Sequence, residues 1–343
     1  MKAIIIRNEA TQGRGIDAWE LGEKPDPVPG PGQILMRVRA ASLNYRDLLM
    51  ARGHYGGPLK PDFVPLSDGA GEVAALGAGV TRWKVGDKVC AAYYPTWLSG
   101  PMRPEYRDGG LGQTNVDGTL AEYVLVGENG VVRMPANLSF EEASTLPCAA
   151  VTAWTALFGE GLRTLPGQSL LVLGTGGVSM FALAFGRAVG MRIIATTSTK
   201  AKEAKLRELG VSDVINYRDT PAWQKEVRRI TNGHGVDHVV EVGGGGTIAQ
   251  SVEATSTGGT VSQVGLLTGV EQTFNPLSVL VDAIRLQGVV VGSVRAFEEM
   301  NRAIEMLSIT PIVDSVFPLE KARAALAKLE AATHFGKIVV RIG

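Results

Sequence analysis

The spacing of apolar positions changes character partway along the chain. In residues 1–148 the apolar segments are short and lie between Pro- and Gly-rich turns: Ala3–Ile6, Gln33–Ala40, Ala70–Leu76, Lys88–Ala92 and Leu120–Leu125. Runs of that length bounded by turn residues predict strands. Lys24–Gly32 (KPDPVPGPG) reads as a rigid, extended connector into one of them. Pro95–Asp117 is a polar loop with several glycines, longer than a compact domain normally needs, which marks a surface lobe or the rim of a site.

From about residue 149 strands and helices alternate. Strands are predicted at Leu170–Leu173, Arg192–Thr196, Asp213–Asn216, His238–Val242, Thr260–Val264 and Gly288–Gly292. Helices are predicted at Val178–Val189, Lys200–Leu209, Trp223–Thr231, Thr247–Ala254 and Leu277–Leu286. That alternation implies an α/β, doubly wound parallel sheet of the Rossmann kind. Beyond it, Phe297–Leu307 and Leu319–Ala331 read as amphipathic helices and Lys337–Ile342 as a final strand. No further βαβ unit fits, so the tail is expected to rejoin the first domain. The expected division is 1–148 and 295–343 for a β-rich domain and 149–294 for the Rossmann domain, with the cofactor cleft between two lobes.

Charge narrows the partners. Lys plus Arg and Asp plus Glu both number 34, without a basic block, so nothing draws this chain to nucleic acid or anionic lipid. The most apolar run, around Leu170–Phe185, is broken by glycines and too short to span a bilayer. The start passes from Met1-Lys2 directly into AIII, with no signal-peptide pattern. Cys90 and Cys148 are the only cysteines, which excludes a disulfide scaffold and a four-cysteine zinc lobe. A soluble, cytoplasmic protein with no membrane or nucleic-acid partner is expected.

The most specific chemistry lies in Ser169–Gly190, SLLVLGTGGVSMFALAFGRAVG. Strand, glycine turn and helix in that order form a dinucleotide fingerprint, in which a helix N-terminus faces a pyrophosphate. Gly174, Thr175, Gly176, Gly177 and Val178 would cradle it, and Ser179 replaces the usual third glycine with a residue still small enough for close packing. In an NAD-type site an acid about 20 residues on holds the ribose 2′-hydroxyl. Here the window IATTSTK has none; it offers Ser198 and Thr199, with Lys200 and Lys202 behind them. A 2′-phosphate suits hydroxyls and cations and would be repelled by a carboxylate, so NADP(H) is expected over NAD(H). The alternative for the lysines is an ordinary solvated helix face.

An ordered series of segments resembles the medium-chain dehydrogenase/reductase superfamily, the alcohol dehydrogenases and quinone oxidoreductases, over the whole chain. They are KAIII, PGPGQILMRV, ASLNYRDLL, VPLSDGAGEVAALGAGV, VGDKV, LPCAAVTAW, LVLGTGGVS, LGVSDVINY and HFGKIVVRI. The resemblance implies a GroES-like catalytic domain built from both chain ends, around a Rossmann domain. It also shows where zinc-using members hold their metal: those places carry Asn44, Ser67 followed by Asp68, and Cys148. Zinc catalysis needs three strong N or S ligands, so a metal-free member is expected. Cys148 then reads as a small buried residue, and His54, His234, His238 and His334 have no ligand spacing.

Without a Lewis acid, alcohol oxidation is hard, but a quinone or an α,β-unsaturated carbonyl can spread the charge that hydride delivery creates. One hydrogen-bond donor and a proton source then suffice. The resemblance to zinc-free quinone and enone reductases places Asn44 near the nicotinamide ribose and gives Tyr55 contact with substrate or its proton. Tyr45 and Asp47 flank the pocket. A rim tyrosine without a catalytic part is the alternative for Tyr55; with a free pKa near 10, a tyrosine is a donor rather than a base, which favours reduction. The same resemblance puts Thr152 beside the nicotinamide. Lys202 and Tyr217, fifteen apart, would grip the adenosine phosphate. Val242 and Gly243, Gly265, Leu266 and Leu267, and Gly292 and Ser293 would line strand ends. Lys337 is either a further phosphate contact or plain surface. Leu49 stands where several relatives carry tyrosine or histidine, so substrate preference does not transfer. Tyr93, Tyr94, Trp97 and Tyr106 around the long loop would roof the pocket.

The leading expectation is an NADPH-dependent, zinc-independent reductase acting on a small electrophilic substrate. The alternatives are an alcohol or aldehyde dehydrogenase with a metal loosely held at Asp47, Ser67, Asp68 and Cys148, and an NADPH-binding sensor without turnover. The last strand of the sheet, QGVVVG, reads as apolar on both faces, and pairing of that edge across a two-fold axis predicts a homodimer.

Overall fold

Turn-bounded apolar runs in the first part of the chain become β1 (Lys2–Ile6), β2 (Trp19–Glu23), β3 (Gln33–Ser42), β4 (Asp68–Leu76), β5 (Lys88–Ala91), β6 (Tyr123–Gly127) and β7 (Val131–Arg133). The second part supplies β8 (Ser169–Val172), β9 (Arg192–Thr197), β10 (Asp213–Asn216), β11 (Val236–Glu241), β12 (Thr255–Gln263) and β13 (Arg285–Gly288), and the tail adds β14 (Val313–Pro318) and β15 (Lys337–Arg341). The computed structural model describes residues 1–7, 15–55, 57–271 and 274–343. Within them the chain forms two units: Met1–Val151 with Val291–Gly343, and Thr152–Val290.

In the first unit the main sheet runs β14-β15-β3-β4-β5-β7, with β6 also paired to β3. β3 starts with alternating burial and ends in Ala40–Ala41–Ser42, buried throughout. The reason is register. At that end Ser42 lies opposite Asp68 on one side and Val339 on the other, so β3 is enclosed by β4 and β15. Trp19, Phe63, Ile6, Met36, Leu66 and Leu120 are fully buried in this unit's core, and each such side chain contributes roughly 1.5–3 kcal/mol by leaving water. The tail strand β15 thereby lies within the sheet, where only folding could put it.

The second unit holds the parallel sheet β10-β9-β8-β11-β12-β13, the open, doubly wound α/β arrangement. Leu171, Ile194, Val239 and Val261 fill its centre. Helices Gly177–Ala188, Lys200–Glu208, Trp223–Ile230 and Ile248–Ala254 fall within a residue or two of their expected ends. Two expectations need correction. The helix predicted over Leu277–Leu286 stops at Val281, because Ala283 takes a left-handed backbone and Arg285–Gly288 pairs with β12. The last strand is therefore Arg285–Gly288, not Gly288–Gly292. It stands at the sheet edge and is largely exposed, while the three QGVVVG valines lie past it. In the tail, β14 (VDSVFP) escapes the hydrophobic pattern because, at the edge of its sheet, its positions are only half-buried or exposed.

Candidate active site

In the second unit, β8 ends one residue before Leu173 and the chain turns through Gly174, whose φ of +69° favours a residue without Cβ. Helix Gly177–Ala188 starts at once, with Gly176 as its N-cap. A Cβ added at Gly174 or Gly176 would meet nothing within 4 Å, so the turn leaves open room in front of the helix N-terminus. That room suits an anionic phosphate. Ser179 is buried and donates to Leu173 O at 2.6 Å, tying helix to strand where a third glycine is usual. Thr175 is buried, and Gly177 and Val178 are half-buried in the first helical turn.

Ser198 follows β9 and Tyr217 follows β10. The Tyr217 amide donates to Thr197 O at 2.9 Å, which sets the two residues side by side at the same end of the sheet. Thr199 caps the next helix by accepting from the Lys202 amide at 3.2 Å. Tyr217 is 41% exposed, open to a ligand. The nearby acids are engaged: Glu203 pairs with Arg207 at 2.8 Å, and Asp219 accepts from Asn216 at 2.8 Å. A nucleotide with a 2′-phosphate therefore fits these residues. Arg218, exposed and next to Tyr217, is a cation that the sequence reading passed over. Val242 and Gly243 follow β11, and Gly265 with exposed Leu266 and Leu267 follows β12, all at carboxyl ends of strands. Gly292 and Ser293 do not belong to this group. The sixth strand ends at Gly288, and Ser293 caps helix Val294–Met306, whose first amides donate to Trp97 O and Leu98 O in the first unit. Thr152 is buried near the start of the second unit.

The first unit concentrates charge around the short helix Tyr45–Ala51. Asn44 is its N-cap, and the Asp47 carboxylate accepts from the Asn44 amide at 2.7 Å. Burial pushes the Asp47 carboxyl up to about 6, against the pull of Arg46 and of the Asn44 amide. Arg46 is buried as well. Its guanidinium donates to Leu111 O and Gly112 O and lies 5.2 Å from the Tyr55 ring centre and 5.3 Å from that of Tyr93. Burial opposes its charge, and Tyr93, Asp47 and Tyr55 around it more than offset that. Burial likewise holds the Tyr93 and Tyr94 hydroxyls protonated, both accepting from Gln113 Nε2. Tyr45 and Tyr55 are half-buried. The long loop is no loose rim: Tyr93, Tyr94 and Trp97 are buried, and Trp97 stacks on Tyr106 at 6.3 Å.

Lys337 is not plain surface: it is 3% exposed. Antiparallel pairing of β15 with β3, continued by the Leu43 amide donating to Ile338 O, carries it beside Asn44. Its ammonium donates to Leu43 O and Asn44 Oδ1, each at 2.6 Å, and lies 3.6 Å from Asp68 Oδ2. Asp68 accepts from Ser67 Oγ at 2.7 Å and from Ser42 Oγ at 3.2 Å. Just before this pair, Leu66 is fully buried with a φ of +69°, a strained backbone of the kind found at functional sites.

A zinc ion does not fit this donor set. Asn44 presents its oxygen to an ammonium, Ser67 is spent as a donor, and Asp68 is balanced by Lys337, while burial pushes the Cys148 thiol far up. Among the described residues no group of three or more His, Cys, Asp or Glu is placed to hold a metal. Nor is any helix among them long and apolar enough to cross a membrane.

Residues 30–136 match the model of the alcohol dehydrogenase GroES-like domain, and residues 177–308 that of the zinc-binding dehydrogenase. A zinc-type alcohol dehydrogenase-like protein of Schizosaccharomyces pombe is 40% identical over 91% of this chain and 91% of its own length. The chain belongs to the medium-chain dehydrogenase/reductase superfamily. It is an oxidoreductase-family protein whose GroES-like and Rossmann parts carry the fold of that superfamily's alcohol dehydrogenases. Among solved structures, an NAD-dependent alcohol dehydrogenase is similar at 32% identity and TM-score 0.89, with all of both chains covered. A 2-octenoyl-CoA carboxylase reductase in complex with NADP and 2-octenoyl-CoA is similar at 26% identity and TM-score 0.89, covering 99% of this chain and 87% of that one.

Proposed function

We propose that this protein is an NADPH-dependent, metal-independent reductase of quinones or α,β-unsaturated carbonyls. The observation that carries the reading is the Lys337–Asn44–Asp68 arrangement, a lysine cation among residues that correspond to metal ligands in zinc-using relatives. Such a site has no open coordination position with which to lower an alcohol's pKa. An acceptor that delocalises charge has no such need. The similarity to a reductase solved with NADP and an enoyl thioester supports the same substrate class.

When bound, NADPH supplies the hydride. Gly174–Val178 would hold its pyrophosphate, and Ser198, Lys202 and Tyr217 its 2′-phosphate. Thr152, Val242, Gly243 and Gly265–Leu267 belong to the unit that would carry the remainder. In the first unit Tyr55, its ring on Arg46, supplies a hydroxyl proton. Arg46 and the protonated Tyr93 and Tyr94 make surroundings that favour negative charge on a substrate oxygen.

NADPH oxidation against a panel of quinones, enones and enoyl thioesters tests the proposal. Turnover that survives a chelator, in protein without stoichiometric zinc, is expected. Stoichiometric zinc with chelator-sensitive alcohol oxidation would instead establish the degenerate-metal dehydrogenase. Tight NADPH binding with silence across the panel would establish a sensor. We also propose a homodimer: β13 is an edge strand with exposed Leu286, and Leu277, Leu280 and Val281 are exposed just before it. Light scattering should give twice the chain mass.

A further inference from the structure

Lys337 does more than fill a gap left by a metal. An ammonium has three donors and no acceptor, so the Asn44 carboxamide can meet it only with its oxygen. That choice fixes the other end of the amide. Asn44 Nδ2 is buried and has no hydrogen-bond partner, a condition rare enough in folded proteins to call for an explanation. The orientation is held elsewhere too: the Asn44 backbone amide is bound by Asp47, and Ser42 and Ser67 hold the Asp68 carboxylate that faces the ammonium. Asp47 Oδ1 is also buried without a hydrogen bond, but the donor that the arrangement leaves unused is the Asn44 amide N–H, whose carbonyl end is already bonded to a cation. A bond of that kind strengthens the donor at the opposite end of the amide.

We propose that Lys337 is a positioning residue that makes Asn44 Nδ2–H the hydrogen-bond donor to the acceptor's carbonyl oxygen. The inference rests on the reductase reading above. Hydride addition at the β-carbon breaks the C=C π bond, moves that electron pair toward the carbonyl oxygen and converts NADPH to NADP+. A proton at the α-carbon then completes the reduced product. Charge therefore accumulates on the oxygen that Nδ2–H would face, with the Lys337 charge behind it. A site built this way selects substrates with a carbonyl conjugated to the bond being reduced, quinones included.

The test uses the full protein with an acceptor that the wild type reduces. Asn44→Asp keeps an oxygen for Lys337, removes the N–H and puts a carboxylate in its place. Lys337→Met removes the ammonium at similar length. For Asn44→Asp, kcat should fall ~10²- to 10³-fold, the loss typical of one oxyanion donor. The primary deuterium isotope effect with deuterated NADPH should rise, and the loss should remain in kcat at saturating NADPH, whatever the change in NADPH affinity measured by fluorescence without acceptor. Lys337→Met should show the same split. If it fails to fold by circular dichroism, Asn44→Asp decides alone. Wild-type kcat in Asn44→Asp, or a loss found wholly in NADPH affinity, would overturn the inference and leave the reductase reading standing. If the wild type reduces no acceptor, the reductase reading falls and this one with it.

Discussion

The Arg46 guanidinium packs over the Tyr55 ring, 5.2 Å from its centre. The ring is thus held by a buried cation through its face rather than through its hydroxyl. Tyr55→Phe keeps the ring and should leave the unfolding midpoint unchanged. If Tyr55 supplies the proton, turnover at neutral pH should drop by ~10²-fold, the low end for a general acid. Turnover equal to the wild type would show that water supplies it.

Asp47 makes stability depend on pH in an identifiable window. Its carboxyl is raised from 3.8 to about 6, chiefly by burial, so between those values the folded chain holds a proton that the unfolded chain releases. The contribution is complete below pH 3.8 and is lost as pH rises through 6. Asp47→Asn should remove this slope, flattening the pH dependence of urea stability between those limits by at most ~3 kcal/mol. An unchanged slope would show that Asp47 does not hold the proton.

Gly118 stands against the strained Leu66. A Cβ there would run into Leu66 O and Pro65 O, which are backbone atoms that cannot swing aside. Gly118→Ala should cost ~1–3 kcal/mol, the range for overpacking, and should lower turnover as well, because Ser67 and Asp68 follow directly. Calorimetry and kinetics on the one variant check both. A variant as stable and active as wild type would contradict this packing.

Nucleotide preference should turn on Lys202. Lys202→Glu places a carboxylate where a 2′-phosphate is proposed to lie, and the loss of a charged contact worth ~1.5–3 kcal/mol should weaken NADPH binding 10- to 100-fold. NADH should be little affected. Equal loss for both cofactors would remove Lys202 from the phosphate site.

Local pattern was enough for the fingerprint of the nucleotide unit. Strand, glycine turn and helix at Ser169–Ala188 are contiguous, and their period and turn residues are written in neighbouring positions. Where sheet pairing competed with helical pattern, as at Arg285–Gly288, the local signal failed, because partner strands choose that conformation. Arg46, Tyr93, Tyr94 and Gln113 were missed as a group for a related reason: the sequence displays them as separate residues of a helix and a loop.

By itself the sequence determined the two kinds of unit, the fingerprint turn and the lack of an acid in the ribose window. Each of these depends on residues within a few positions of one another. Only the tertiary structure decided what Lys337 is. It meets Asn44 across 293 positions because β15 pairs with β3, and burial there turns a residue of surface type into a cation held by three oxygens. Long-range pairing and the dielectric it creates leave no mark on the local pattern of the chain.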